Sequence, residues 1–152
     1  MRFTDRHHHR MDSTPTIFAT LAVLADPLLR IAVGAFLIPH GWAKVRGMFG
    51  VDLGPEHDVF AQCGLKPTAA WIYIIGLVQL IGGILLVLGL FTRHVALIEM
   101  LMLLGTAILW TRRGGWFWHK GGMEYSVFWA ITAFVVFCHG GGTFSLDSRL
   151  GL

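Results

Sequence analysis

The stretch from Leu28 to Met48, LLRIAVGAFLIPHGWAKVRGM, is apolar enough to enter a lipid bilayer and yet carries Arg30, His40 and Lys44. Ionisable groups are expensive in hydrocarbon and rare there without a reason. On a helix, at about 100° per residue, the three fall within a sector of roughly 80°, leaving the remaining circumference for lipid. Gly34 and Gly41 lie beside that polar face and let a second helix approach closely. Pro39 removes a backbone donor just before His40 and frees the carbonyl of Ala35. Two readings fit. Arg30 and Lys44 can snorkel from the two helix ends, leaving His40 bonded to a neighbouring helix. Alternatively, the three border a ligand site, because His40 lies about 18 Å from Leu28, too deep to reach either headgroup layer easily.

The other segments share this character. Of 152 residues, 55% are hydrophobic and 14% charged, and the mean hydropathy is +0.63, far from a soluble balance. The pattern predicts an all-α, four-helix transmembrane bundle with a short N-terminal interfacial helix. Residues 1–14 read as a disordered polar tail holding His7, His8 and His9, and Met11 is a candidate start. Residues 15–152 read as one membrane domain with spans at about 28–48, 68–90, 95–111 and 125–140. Thr14-Pro15 and Asp26-Pro27 each resemble a helix start, so the first helix, from Thr16 to about Ala25, is taken as interfacial and too short to span. One continuous helix from Thr16 is the competing parse. Between Gly47 and Pro67 the polar, breaker-rich composition marks an extramembrane loop, with a helical turn at Val59–Cys63.

Further polar residues punctuate the later spans. Gln79 sits near the centre of the second span and shares a face with Gly76 and Gly83, while Gly82 adds another small surface; its amide serves either packing or a ligand. Glu99, inside the third span, needs a partner, and Arg30 reaches a similar depth if spans alternate, so an Arg30–Glu99 ion pair is expected. Residues 111–125, TRRGGWFWHKGGMEY, read as an aromatic belt with basic anchors, and Glu124 opens the fourth span, where a helix N-terminus favours negative charge. Cys63 and Cys138 fall near opposite membrane faces, which argues against a disulfide between them. No zinc spacing is present, so no metal is expected. Haem is not expected either, because no two deep histidines oppose one another in one half of the membrane. The charge of +3 suits anionic headgroups and does not suggest nucleic acid. Six Lys or Arg fall on each side of the four spans, so charge alone leaves the orientation tied.

The ordered set LLRIAVGAFLIPHGWAKV, GLVQLIGGILLVLGLFTR, GGMEYSVFWAITAFVVF and FSLD resembles the DoxX family of small bacterial membrane proteins from about Leu28 to Asp147. The resemblance implies four spans with cytoplasmic termini in the bacterial inner membrane, and an association with redox and sulfur metabolism that includes a quinone-linked thiosulfate oxidation complex. Arg30, His40, Gly41 and Lys44 match the first motif; Gly82, Gly83, Gly89 and Arg93 the second; Glu124 and Tyr125 the third; Asp147 the last. Two positions depart from the family pattern: Gln79 stands where Glu is frequent, and Glu99 where an apolar residue is expected.

Together these readings point to a membrane subunit of a redox system. Arg30, His40, Lys44, Gln79, Glu124 and Tyr125 are the candidates for binding a small ligand, a quinone headgroup or sulfur compound, or for relaying protons. No residue here holds an electron by itself, so a cofactor or a soluble or membrane redox partner is expected to carry the electrons and autonomous catalysis is not. A carrier or channel for a small anion or lipid, and a non-catalytic scaffold, are the competing classes. A chain of this size could compensate for lacking an internal repeat by forming a homo-oligomer.

Overall fold

The computed structural model describes residues 17–152. Helix α1 runs Ile17–Val45 and passes through a 3-10 turn at Arg46–Phe49. The short α2 (Pro55–Gln62) follows, then α3 (Thr68–Leu88) and α4 (Thr92–Gly114). A second 3-10 turn at Trp118–Lys120 leads into α5 (Glu124–His139), and α6 (Leu146–Leu150) ends the chain. The four long helices form a bundle, and no strand occurs among the described residues. The expected tail at 1–14 and the Thr14-Pro15 start lie outside the described residues.

Val23–Phe49, Thr68–Leu88 and Thr92–Arg112 are each long and apolar enough to cross a bilayer. The apolar α5 has 16 residues, about 24 Å of helix against a hydrocarbon core of about 30 Å. Ile81, Ile84, Leu101, Ile108 and Phe134 point outward, as lipid-facing side chains do. This is a multi-pass membrane protein.

The separate interfacial helix is corrected by the structure: α1 is continuous across Asp26-Pro27. Asp26 meets His139 at 2.6 Å, and Pro27 is buried beside the Gly142 backbone. These tertiary contacts hold the proline inside the helix and override the local start signal, which speaks only for a few residues of isolated chain.

Backbone proximity joins α1 to α3. Gly34 faces Gly83 and Gly41 faces Gly76: a methyl added at Gly34 would stand 2.5 Å from the Gly83 carbonyl oxygen, and one at Gly76 would stand 3.1 Å from the Gly41 oxygen. Only a missing side chain permits that approach. Val33, Leu37, Leu86, Val95, Ala96, Leu103, Ala130 and Val136 form the central core. Val59, Phe60 and Ile72 form a second core where α2 folds over the bundle end away from the termini.

At the opposite end, α3 stops at Gly89, whose φ of +70° lets the chain turn left-handed and close the helix. Phe91 then takes φ +51°, a conformation disfavoured for a residue with a Cβ. The tail steadies this turn. Asp147 accepts hydrogen bonds from the Phe91 amide at 2.6 Å and the Thr92 amide at 2.8 Å, and its own amide donates to the Gly89 carbonyl at 2.9 Å.

A cavity and a clamp at opposite ends of the bundle

Helical spacing places His40 and Lys44 one turn apart on α1, and the same spacing aligns Leu103, Thr106 and Trp110 on α4 and Tyr125 and Trp129 on α5. These faces, with Gln79 of α3, enclose a cavity of about 410 Å3 toward the end capped by α2 and the 114–123 connection. Its walls are mainly aromatic and aliphatic, with Phe36, Phe60, Trp118 and Trp129 among them. Its polar groups are few and converge: His40, Lys44, Glu56, Gln79, Thr106, Tyr125 and Ser126.

Their bonding is incomplete. His40 Nε2 and the Tyr125 hydroxyl share a hydrogen bond of 2.9 Å, joining α1 to α5. The Lys44 ammonium lies 3.3 Å from a Glu56 carboxylate oxygen and 3.4 Å from the His40 carbonyl, to which it donates. The Lys44–Glu56 pair ties α2 across the end of the cavity. Gln79 is buried, and its Oε1 has no hydrogen-bond partner among the described residues. A buried amide oxygen without a donor leaves an unmet demand of about 1–3 kcal/mol, and the adjoining cavity is where a ligand or water could meet it.

Of the candidates named from the sequence, His40, Lys44, Gln79 and Tyr125 come together. Glu124 does not line the cavity; it accepts a hydrogen bond from the Trp118 amide at 3.2 Å and fastens the connection into α5. Arg30 lies far along α1 at the other end. Arg30 is 1% exposed, and its guanidinium donates through Nη1 to the carbonyls of Leu86 and of Val87, the latter at 3.0 Å, and through Nη2 to Phe144 at 2.8 Å, while its Nε has no hydrogen-bond partner among the described residues. Arg30 thereby satisfies the last carbonyls of α3, where a helix C-terminus favours positive charge.

The expected Arg30–Glu99 pair is overturned by this geometry. Both Glu99 carboxylate oxygens lack a hydrogen-bond partner among the described residues, and the side chain packs against Gly82, whose missing methyl makes the room. Arg30 was better served by backbone acceptors at a helix end, and its carboxylate neighbour in charge terms is Asp147. For Asp147, burial pushes the carboxyl up. Hydrogen bonds from the Thr92 and Phe91 amides and the Arg30 charge outweigh this and hold it below the usual carboxylate value.

Several cavity residues escaped the sequence reading: Glu56, Phe60, Thr106, Trp110, Ser126 and Trp129. Glu56 and Phe60 belong to a segment whose polar composition marked it as loop, and nothing local says that it folds back over the bundle. The signal for Trp129 was available, since it falls one turn after Tyr125 on the same face. Cys63 and Cys138 are free thiols and neither lines the cavity.

The DoxX family model matches residues 25–112. A protein of Bacillus subtilis (strain 168), named "Putative oxidoreductase CatD", is 37% identical over 81 residues, which make up 53% of this chain and 55% of that protein. The chain thus spans about half the length of this curated relative. No solved structure matches the chain. The family match contains most of α1, all of α2 and α3 and most of α4, and so the cavity residues His40, Lys44, Glu56, Phe60 and Gln79; Tyr125 and Trp129 on α5 lie beyond it.

Proposed function

Since the chain belongs to the DoxX family, we propose that it is the membrane subunit of a redox system and holds a small ligand with a flat polar head in the cavity between its helices. The supporting observation is the cavity itself: about 410 Å3, within the 300–1,000 Å3 usual for small-molecule sites, with aromatic walls and one unsatisfied amide oxygen. The relative's name adds the word oxidoreductase, and the family resemblance adds quinones and sulfur compounds as ligand classes.

A quinone headgroup fits the donor set. Lys44 and whichever of His40 and Tyr125 donates can hydrogen-bond ring carbonyls, Gln79 can accept from a hydroxyl of the reduced form, and Phe36, Trp118 and Trp129 can pack on the ring faces. When bound, such a group supplies the two-electron chemistry that these side chains lack. The chain's own part is to orient the head, to limit the access of water, and to hold a proton at His40 or Tyr125. A soluble or membrane-bound partner delivers the electrons. The setting proposed is the bacterial inner membrane with cytoplasmic termini, which puts the cavity in the half of the bilayer facing outward.

Mass spectrometry of gently purified protein tests this reading. The expected result is a copurifying quinone or small sulfur compound at near-stoichiometric level, reduced at least tenfold in His40→Gln at equal protein yield. Recovery of an inorganic anion or a phospholipid at that level would favour a carrier. If no small molecule copurifies and His40→Gln keeps the wild-type phenotype, the scaffold reading takes its place.

A further inference from the structure

The cavity is walled unequally. Toward the water phase it is covered by α2: Phe60 is 1% exposed, and the Lys44–Glu56 ion pair joins α1 to α2 across the top. Gly122, in the connection behind α5, is buried as well. Toward the bilayer, between α1 and α5, the lining side chains are also surface side chains. Phe36 is 53% and Tyr125 41% exposed, His40 is exposed, and Trp129 is half-buried.

Two side-chain pairs cross this seam. The rings of Phe36 and Trp129 stand 4.8 Å apart between centroids, and His40 bonds to Tyr125. Below them Val33, Leu37, Leu103 and Ala130 close the core. Depth makes the opening informative. Phe36 is the middle residue of the candidate span Val23–Phe49, Tyr125 stands in the first turn of α5, and the exposed Trp118 lies just beyond it, as interfacial tryptophans do. The seam therefore runs from the middle of the bilayer to the headgroup layer. A water-soluble solute would have to cross hydrocarbon to use it; a bilayer-dissolved molecule is already there.

Resting on the cavity reading above, we propose that the ligand is a neutral amphiphile with a flat polar head and a long apolar tail. It enters sideways from the bilayer between α1 and α5, and its tail leaves past Phe36 and Phe128. The head lies against His40, Lys44 and Gln79. The tail follows the outward aromatic face on which Phe128 packs against Trp129, their centroids 5.4 Å apart. Entry requires only that Phe36 and Trp129 separate and that the His40–Tyr125 bond open. Both are side-chain rotations at a lipid-facing surface and leave the glycine-packed α1–α3 contact untouched.

The test uses the full chain in phosphatidylcholine vesicles and a 1,4-benzoquinone bearing a ten-carbon tail with a terminal diazirine. Irradiation and peptide mapping of the wild type should place adducts on Phe36, Phe128 or Trp129, displaced by tenfold excess of the same quinone without diazirine. Adducts concentrated in residues 46–62 or 114–122 would overturn the sideways route. A second measurement places cysteines at the seam, Phe36→Cys with Trp129→Cys in a Cys63→Ser, Cys138→Ser background, joined by a reducible bifunctional thiol reagent. Linking should slow quenching of the remaining tryptophans by the tailed quinone at least tenfold, and reduction should restore it; an unchanged rate overturns the proposal. Equal affinity for the tail-less headgroup overturns the amphiphile and leaves the cavity reading standing. Absence of quenching by either quinone in the unlinked wild type removes the quinone reading and this inference with it.

Discussion

Arg30 and Lys44 stand on one face of the same helix, and the bundle uses them in opposite ways. Arg30 is closed in on backbone: two carbonyls at the end of α3, a third from the tail, and Asp147 nearby, itself capped by two amides. Lys44 has one carboxylate and one long bond to a carbonyl, and it borders a space where a buried amide oxygen goes unmet. A membrane bundle pays heavily for any polar group that it leaves unsatisfied. The Arg30 clamp is thus built to hold shape, although Arg30 Nε and the Glu99 oxygens lack partners among the described residues. The Lys44 end keeps hydrogen-bonding capacity in reserve beside a cavity, which is what makes it the candidate site. Charge in a span does not by itself point to a site; here the pointer is the unmet Gln79 oxygen beside the cavity.

This contrast is most easily broken at Arg30. Arg30→Met strips three carbonyls of their donor and leaves Asp147 without its cation, so a loss of about 3 kcal/mol is expected, read as a lower melting temperature in detergent. His40→Gln should lose under about 1 kcal/mol in the same assay. Equal losses would mean that both ends are structural.

The next effect concerns acid. Because the folded-state value of Asp147 lies below its ordinary value of about 4, its contribution to stability is complete above that pH and is lost as pH falls through the lowered value. Melting between pH 5 and pH 3 should therefore show an acid limb in the wild type that is shallower in Asp147→Asn. An unchanged limb would assign the acid sensitivity to other carboxylates.

Glu99 gives a smaller and sharper test. With neither oxygen bonded to protein, Glu99→Gln should change stability by less than about 1 kcal/mol. Losses from Arg30→Met and Glu99→Gln should add within about 0.5 kcal/mol. Strong coupling between them would restore the ion pair that the geometry rejects.

The smallest effect on stability belongs to Tyr125→Phe. It removes one hydroxyl at an exposed seam and should stay within about 0.5 kcal/mol of wild type, while weakening binding of the tailed quinone severalfold. Stability lost in step with binding would make the His40–Tyr125 bond a structural tie.

What could be read from the chain alone follows from which forces are local. The apolar runs mark the helices because length and hydropathy decide membrane insertion. The glycines beside the polar face of α1 and on α3 point to close packing because no other residue allows it. Helical period also set His40 and Lys44 on one face, which borders the cavity. Partner choice was beyond reach: depth and sign suggested Arg30 with Glu99, yet the acceptors Arg30 found are carbonyls of a helix end and of a tail, which carry no sequence signature. The same holds for Glu124, drawn to the Trp118 amide, and for Asp26-Pro27, where a local start signal yielded to His139 and Gly142.

The clamp also bears on the order in which this molecule can be built. Phe91 and Asp147 are 56 residues apart in the chain, so at a ribosomal pace of about 5–20 residues per second the turn between α3 and α4 is translated some 3–11 s before the carboxylate that steadies it. Until then neither the Asp147 contact to Phe91 nor the Phe144 carbonyl that Arg30 binds is available. The α3–α4 turn therefore gains its carboxylate support only after α5 and the segment that carries Asp147 have followed it.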